Sequence, residues 1–268
     1  NTEVRREAVW ALPSPDLRTE MHFVTALGDV DESVRRIAAQ QLMLDENPFA
    51  PSGDTRVFEA LISALDDESP DVREKAIISL GNRAHSQSSQ ALVNALKNDD
   101  FEVRWKAAYG LGTMNIRGVM KGSKEAVEPL IAALGDEKSL VREYAVKTLG
   151  EYDDLRSVEP CIRMLGDDDS EVRCSAADSL GKMSNRVNNA LEWGWGSDVD
   201  PGTVTNLLAA AVEPLIAALG DEVLLVRQHV VESLGNFGDL RAVETVIAAL
   251  DDEELAVRKC AADALRVL

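Results

Sequence analysis

The stretch AVEPLIAALGDEKSLVREYAVKTLGEYDD, residues 126–154, contains a whole architectural unit. Val127, Leu130, Ile131 and Leu134 recur at helical spacing, the turn Gly135-Asp136-Glu137-Lys138 interrupts them, and Val141, Ala145 and Leu149 resume the same period. Apolar residues three and four apart share one face of an α-helix, so the stretch predicts two helices joined by an acidic turn.

The pattern recurs along the chain. Val-Arg stands at Val4-Arg5, Val34-Arg35, Val72-Arg73, Val103-Arg104, Val141-Arg142, Val172-Arg173, Val226-Arg227 and Val257-Arg258, at spacings of 30, 38, 31, 38, 31, 54 and 31 residues. The basic repeat is therefore 31 residues, with longer junctions at 45–54, 114–125 and 184–206. Counted from each Arg, position +7 is always Leu, and +3 is Ala in seven of eight repeats with Val230 the exception. Positions −12, −11 and −8 are apolar wherever they exist, and Cys161 fills a −12 slot as a core residue. Gly81, Gly112, Gly150, Gly181 and Gly235 follow the +7 Leu, where a helix end favours a left-handed residue. Eight helix pairs, the first lacking its first helix, predict an all-α, right-handed α-α superhelix filling residues 1–268 as a single solenoid.

At −6 stand Asp29, Asp67, Asn98, Asp136, Asp167, Asp221 and Asp252. These residues are expected to cap the second helix. They can also pair with Arg35, Arg73, Arg104, Arg142, Arg173, Arg227 and Arg258 of the same or an adjacent repeat, as a structural ladder that fixes register.

Units such as RSVEPCIRMLGDDDSEVRCSAADSLGKM (156–183) resemble HEAT-like repeats of the phycobilin lyase type, over essentially the full chain. The resemblance implies the solenoid fold. As an alternative function it implies a bilin lyase-like protein handling a linear tetrapyrrole on a partner protein.

Chemistry-bearing motifs are sparse. His22, His85 and His229 are not followed by Glu, which argues against the di-iron hydroxylases built on similar repeats, and no HExxH, GxSxG or phosphate loop occurs. The run beginning Asp198-Val199-Asp200 has Thr203 and Ala209 where a calcium loop needs Gly and Glu. No catalytic residue, metal or cofactor is expected. A formal charge of −19 opposes nucleic acid and anionic membranes, and no apolar run is long enough to span a bilayer. Lys is scarce among the cations, a balance suited to a high-salt cytoplasm, and three cysteines without ligand spacing fit a reducing, cytoplasmic setting.

Residues that break the frame are the candidates for function. Trp105 and Tyr109, at +1 and +5 of one second helix, fall in slots that are mostly polar elsewhere, and Tyr144 at +2 of the next repeat is expected to extend them. Trp193 and Trp195 lie in the longest junction, where SNRVNNALEW (184–193) predicts an additional helical turn and TVTNLLAAAVEPLIAAL (203–219) an extended first helix. Large aromatics on a polar groove are the usual composition of a protein-binding surface. The expectation is a non-catalytic scaffold whose concave second-helix face and junction rim bind a protein partner with a basic segment. A structural segment of a larger multidomain protein is the remaining reading, motivated by the half repeat at the start.

Overall fold

The computed structural model describes residues 1–12, 17–42, 55–82, 86–116, 125–152, 154–193 and 206–268. Among them there are helices and turns but no strand. The junction 45–54 and Trp195 lie outside the described residues, as does most of 114–125.

The chain divides into two compact units, 1–129 and 130–268. In the first, the second helices are α1 (Thr2–Trp10), α3 (Glu32–Gln41), α5 (Pro70–Asn82) and α7 (Phe101–Ile116). They pack one on the next in chain order, and the first helices α2 (Leu17–Ala26), α4 (Thr55–Ser63) and α6 (Ser86–Ala95) form a parallel layer against them. The boundary falls within α8 (Val127–Ala133). The second unit repeats the plan with second helices α9 (Ser139–Glu151), α11 (Ser170–Trp193), α13 (Leu224–Phe237) and α15 (Leu255–Ala264). Its other first helices are α10 (Val158–Arg163), α12 (Val212–Ala218) and α14 (Val243–Ala248). Each unit is thus a stack of helix pairs, the arrangement of an α-solenoid.

Burial explains the periodicity. The −12 residues Phe23, Leu61, Leu92, Leu130, Cys161, Leu215 and Val246 are all fully buried. So are the +3 residues from Ala38 to Ala261, and the +7 leucines from Leu42 to Leu234. Each such leucine contributes about 1.5–3 kcal/mol of burial. Burial also pushes the Cys161 thiol up to about 12, as suits a core residue rather than a nucleophile.

The expectation for the glycines is corrected. Gly81, Gly112, Gly150, Gly181 and Gly235 sit inside their helices, not at left-handed ends. Among the described residues only Gly238 takes a positive φ (62°), closing α13 with N–H bonds to Leu234 and Gly235. The +8 glycines serve close approach instead. A Cβ on Gly150 would stand 2.6 Å from Ser179 Cβ, and one on Gly181 would stand 2.7 Å from Ser233 Oγ. For Gly81, Gly150, Gly181 and Gly235 the partner is a small residue at +6 of the next second helix: Gly110, Ser179, Ser233 or Ala264. Serine at this position donates its hydroxyl back to a carbonyl at +4 of the preceding helix. Ser79 Oγ reaches Ala39 at 2.7 Å, Ser179 reaches Val146 at 3.0 Å, and Ser233 reaches Ala177 at 2.6 Å.

The longest junction also departs from expectation. Residues 184–193 do not form a separate turn but continue α11 unbroken to Trp193, giving a helix of 24 residues. Lys182 and Arg186 clamp Glu151 from α11, and Arg186 also bonds the Gly150 carbonyl. The following first helix is not extended at its start, because a turn at Ala210-Ala211 separates 206–209 from α12.

Candidate interaction surface

The acidic turns determine how the second helices are presented. Arg35 reaches forward to the next repeat, its Nε and Nη2 gripping Asp67 at 2.7 and 2.9 Å. Arg5 grips Asp29 in the same way at 2.8 and 3.1 Å, and Arg142 grips Asp167 at 2.8 and 2.6 Å. Arg173 holds Asp221 at 2.6 and 3.1 Å, and Arg227 holds Asp252 at 2.8 and 3.0 Å. The third nitrogen, Nη1, bonds the backbone carbonyl six residues upstream in the same repeat, from Arg35 onto Asp29 to Arg258 onto Asp252. Each guanidinium of these interior pairs therefore ties its own turn by backbone and the following turn by side chain. Planar bidentate pairing of this kind fixes distance and orientation together.

The −6 aspartates do not cap the second helix as expected. Their Oδ1 accepts the N–H of the residue at −4, closing a small turn, as from Asp67 to Ser69 and Asp221 to Val223. The −4 residue is the helix N-cap, and Asp31, Asp100 and Asp169 use their own carboxylates for it. The −6 side chain sits too early to reach the helix N–H groups, so it is free to face the preceding arginine.

Burial raises the carboxyl pKa of Asp67, Asp167 and Asp221. The hydrogen bonds from Arg35, Arg142 and Arg173, the backbone N–H bonds from Ser69, Asp169 and Val223 and the nearby guanidinium charge together outweigh it, leaving all three below the usual carboxylate range. Asp252 is lowered chiefly by its bond from Arg227. Arg104 bonds the Asn98 and Asp99 carbonyls in the first unit, and Asp136 accepts the Lys138 N–H in the second.

The aromatics stand outside this frame. Trp105 is half-buried on α7, its indole N–H donating to Glu102 Oε2 at 3.0 Å. Lys106 Nζ lies 5.2 Å from the indole centroid and bridges Glu102 at 2.9 Å and Glu74 at 3.3 Å. With only 11% of its side chain exposed, Lys106 is a fixed cation over the indole ring, so Trp105 is oriented before any partner arrives. Tyr109, one turn on, is 48% exposed. Trp10 occupies the same +5 slot on α1 and is 59% exposed, so sequence position alone could have added it to the candidates.

Tyr144 belongs to the second unit, half-buried with Lys147 Nζ 5.2 Å from its ring and Lys147 paired to Glu143. Trp193 ends α11. Among the described residues no group of His, Cys, Asp and Glu has metal-holding geometry, and no helix is long and apolar enough to cross a membrane.

Paired helices, interlocking turns and a nearest-neighbour stack define an α-helical repeat protein. Three segments, 58–143, 127–209 and 212–267, match the family model of HEAT repeats, and the chain belongs to that family. No curated protein matches it in sequence.

Solved structures show the same fold at low identity. An engineered protein aligns with a TM-score of 0.59 and 23% identity over 98% of this chain and 70% of its own. A second engineered protein aligns at 0.55 and 20%, over 78% and 95%. The complex of CpcE and CpcF of phycocyanin lyase from a Nostoc species aligns at 0.50 and 22%, over 95% and 89%. At these identities the likeness is one of fold.

Proposed function

We propose that the chain is a non-catalytic protein-interaction scaffold, and that the second-helix face of its first unit binds an extended basic segment of a partner. The observation that carries this reading is the pair of strongly exposed aromatics at one register position, Trp10 on α1 and Tyr109 on α7. Between them the same +5 slot holds Gln40 on α3 and half-buried Ile78 on α5. Helices packed in order lie about 8–10 Å apart. The row therefore suits a strand-like segment of roughly nine residues rising about 3.3 Å each. Trp105, pre-oriented by Glu102 and Lys106, flanks the row. Tyr144 and the Trp193/Trp195 junction are further contact candidates by composition.

The formal charge of −19 speeds approach of a cationic segment and makes the association salt-sensitive. The test is a peptide array alternating basic and apolar residues, probed with the intact protein and with Tyr109→Ala and Trp105→Ala. Binding that both variants weaken by about tenfold or more, as for aromatic anchors, supports the reading. Binding indifferent to both substitutions sinks it.

A further inference from the structure

Most arginines among the described residues hold a carboxylate, from Arg5 on Asp29 to Arg266 on Asp263. Arg6 on α1 and Arg36 on α3 hold none, although the formal charge of the chain is −19. Both stand at +1 of neighbouring second helices, Arg6 exposed and Arg36 half-buried. The exposed carboxylates of α1 and α5, Glu3, Glu7 and Asp71, form no ion pair with either arginine among the described residues.

The register of the stack explains why. A residue at +1 of one second helix meets the residue at +2 of the next. Lys106 Nζ lies 3.3 Å from Glu74 Oε2 across α5 and α7, and Gln228 Nε2 lies 3.9 Å from Cys260 Sγ across α13 and α15. The same register sets Arg6 against Ile37, which has no charge, and Arg36 against Lys75, which has the same charge. Lys75 is itself tied to Glu74 at 3.0 Å, so that one carboxylate already serves two ammonium groups. Arg6 and Trp10, like Arg36 and Gln40, are four residues apart on one helix, so each arginine borders the +5 row.

We infer that the segment bound on this face, which rests on the function proposed above, carries one acidic side chain seated between Arg6 and Arg36 and therefore binds in a single direction. Charge complementarity selects a carboxylate there, because two guanidinium forks from neighbouring helices can grip its two oxygens together. The opposite end of the row is set by Tyr109 on α7. From the gap between α1 and α3 to α7 is two and a half helix spacings, roughly 20–25 Å at about 8–10 Å each. An extended chain covers that distance in about seven residues. A wholly basic segment meets like charge at the α1–α3 end, so the two arginines discriminate among basic partners as well as orient them.

The test titrates the full chain with fluorescent peptides that alternate basic and apolar residues around one aromatic anchor for Tyr109. A single Glu is moved one position at a time along the peptide, with Gln as the control at each place. The expected result is tightest binding with Glu about seven residues from the anchor, on one side of it only, and at least about fivefold tighter than with Gln. That advantage should vanish in the double variant Arg6→Gln/Arg36→Gln, whose melting temperature should match wild type because neither side chain holds a carboxylate. Arg36→Glu should reverse the preference, favouring Lys over Glu at the same place. Glu and Gln peptides that bind alike, an equal advantage on both sides of the anchor, or an advantage that survives the double variant overturns the inference. If Tyr109→Ala and Trp105→Ala still weaken binding in those cases, the scaffold reading stands and only this inference falls. Indifference to both aromatic substitutions removes that reading and this inference with it.

Discussion

Arg73 meets Asp100 through a single Nη2–Oδ2 contact of 2.5 Å, and its buried Nε has no partner. The cause is one atom in the neighbouring repeat. Asn98 stands where the other turns have Asp, and an amide cannot accept a bidentate grip from guanidinium, so the arginine slides two residues to Asp100. Asn98 retains its other task, accepting the Asp100 N–H at 2.9 Å. Asn98→Asp should restore the missing bond and stabilise the protein by about 1 kcal/mol, the usual net value of a hydrogen bond. Chemical denaturation of the two proteins measures it. An unchanged or lowered midpoint would show that the extra charge beside Asp100 outweighs the gain.

Close approach at the +8 glycines gives the second prediction. Gly150→Ala and Gly181→Ala would drive a methyl into Ser179 and Ser233, and overpacking of this kind costs about 1–3 kcal/mol. A methyl on Gly166 would meet nothing within 4 Å, so Gly166→Ala should be neutral to within about 0.5 kcal/mol. Thermal melts of the three variants separate a packing role from a general glycine effect.

The serine hydroxyls that cross between second helices are the third case. Ser179→Ala and Ser233→Ala each remove one buried donor from a carbonyl of the preceding helix. Each should cost about 1 kcal/mol. Hydrogen exchange of the α9 and α11 amides, compared with wild type, checks whether the loss is local.

Acid sensitivity follows from the turn aspartates. Asp67, Asp167 and Asp221 have folded pKa values below their unfolded value, near 3.9. A lowered folded pKa means the contribution is fully present above the unfolded value and is lost as pH falls through the folded one. Stability should therefore hold from neutral pH to about 5 and decline steeply below about 4. Asp221→Asn should be less stable at neutral pH and lose less between pH 5 and 3, since the group no longer titrates. Urea titrations at stepped pH would show it, and equal slopes in both proteins would remove Asp221 from the account.

Much of the fold could be read from residues 126–154, because positions −12, +3 and +7 are enclosed on all sides and tolerate only Leu, Val, Ala and their like. The direction of the ladder could not. Asp136 stands six residues before Arg142, which invites a pairing within one repeat, whereas the carboxylate Arg142 grips is Asp167, in the next. The glycines misled for a physical reason: a left-handed helix end and a close helix crossing both exclude a side chain, and Gly150 satisfies the second. For the surface, Trp105 and Tyr109 stood out as departures from the period. The Glu102–Lys106–Glu74 tether that orients Trp105 was hidden, since it depends on which charges face each other across α5 and α7.

Arg173 and Asp221 are 48 residues apart in sequence, and Arg142 and Asp167 only 25, yet the two locks have nearly the same geometry. Lengthening a connection whose ends are already held together costs little, about 0.6 kcal/mol for each doubling. The link between the sixth and seventh repeats is therefore a neutral site for evolutionary grafting. New sequence can arrive there and be selected for what it touches, while the frame that carries it stays the same.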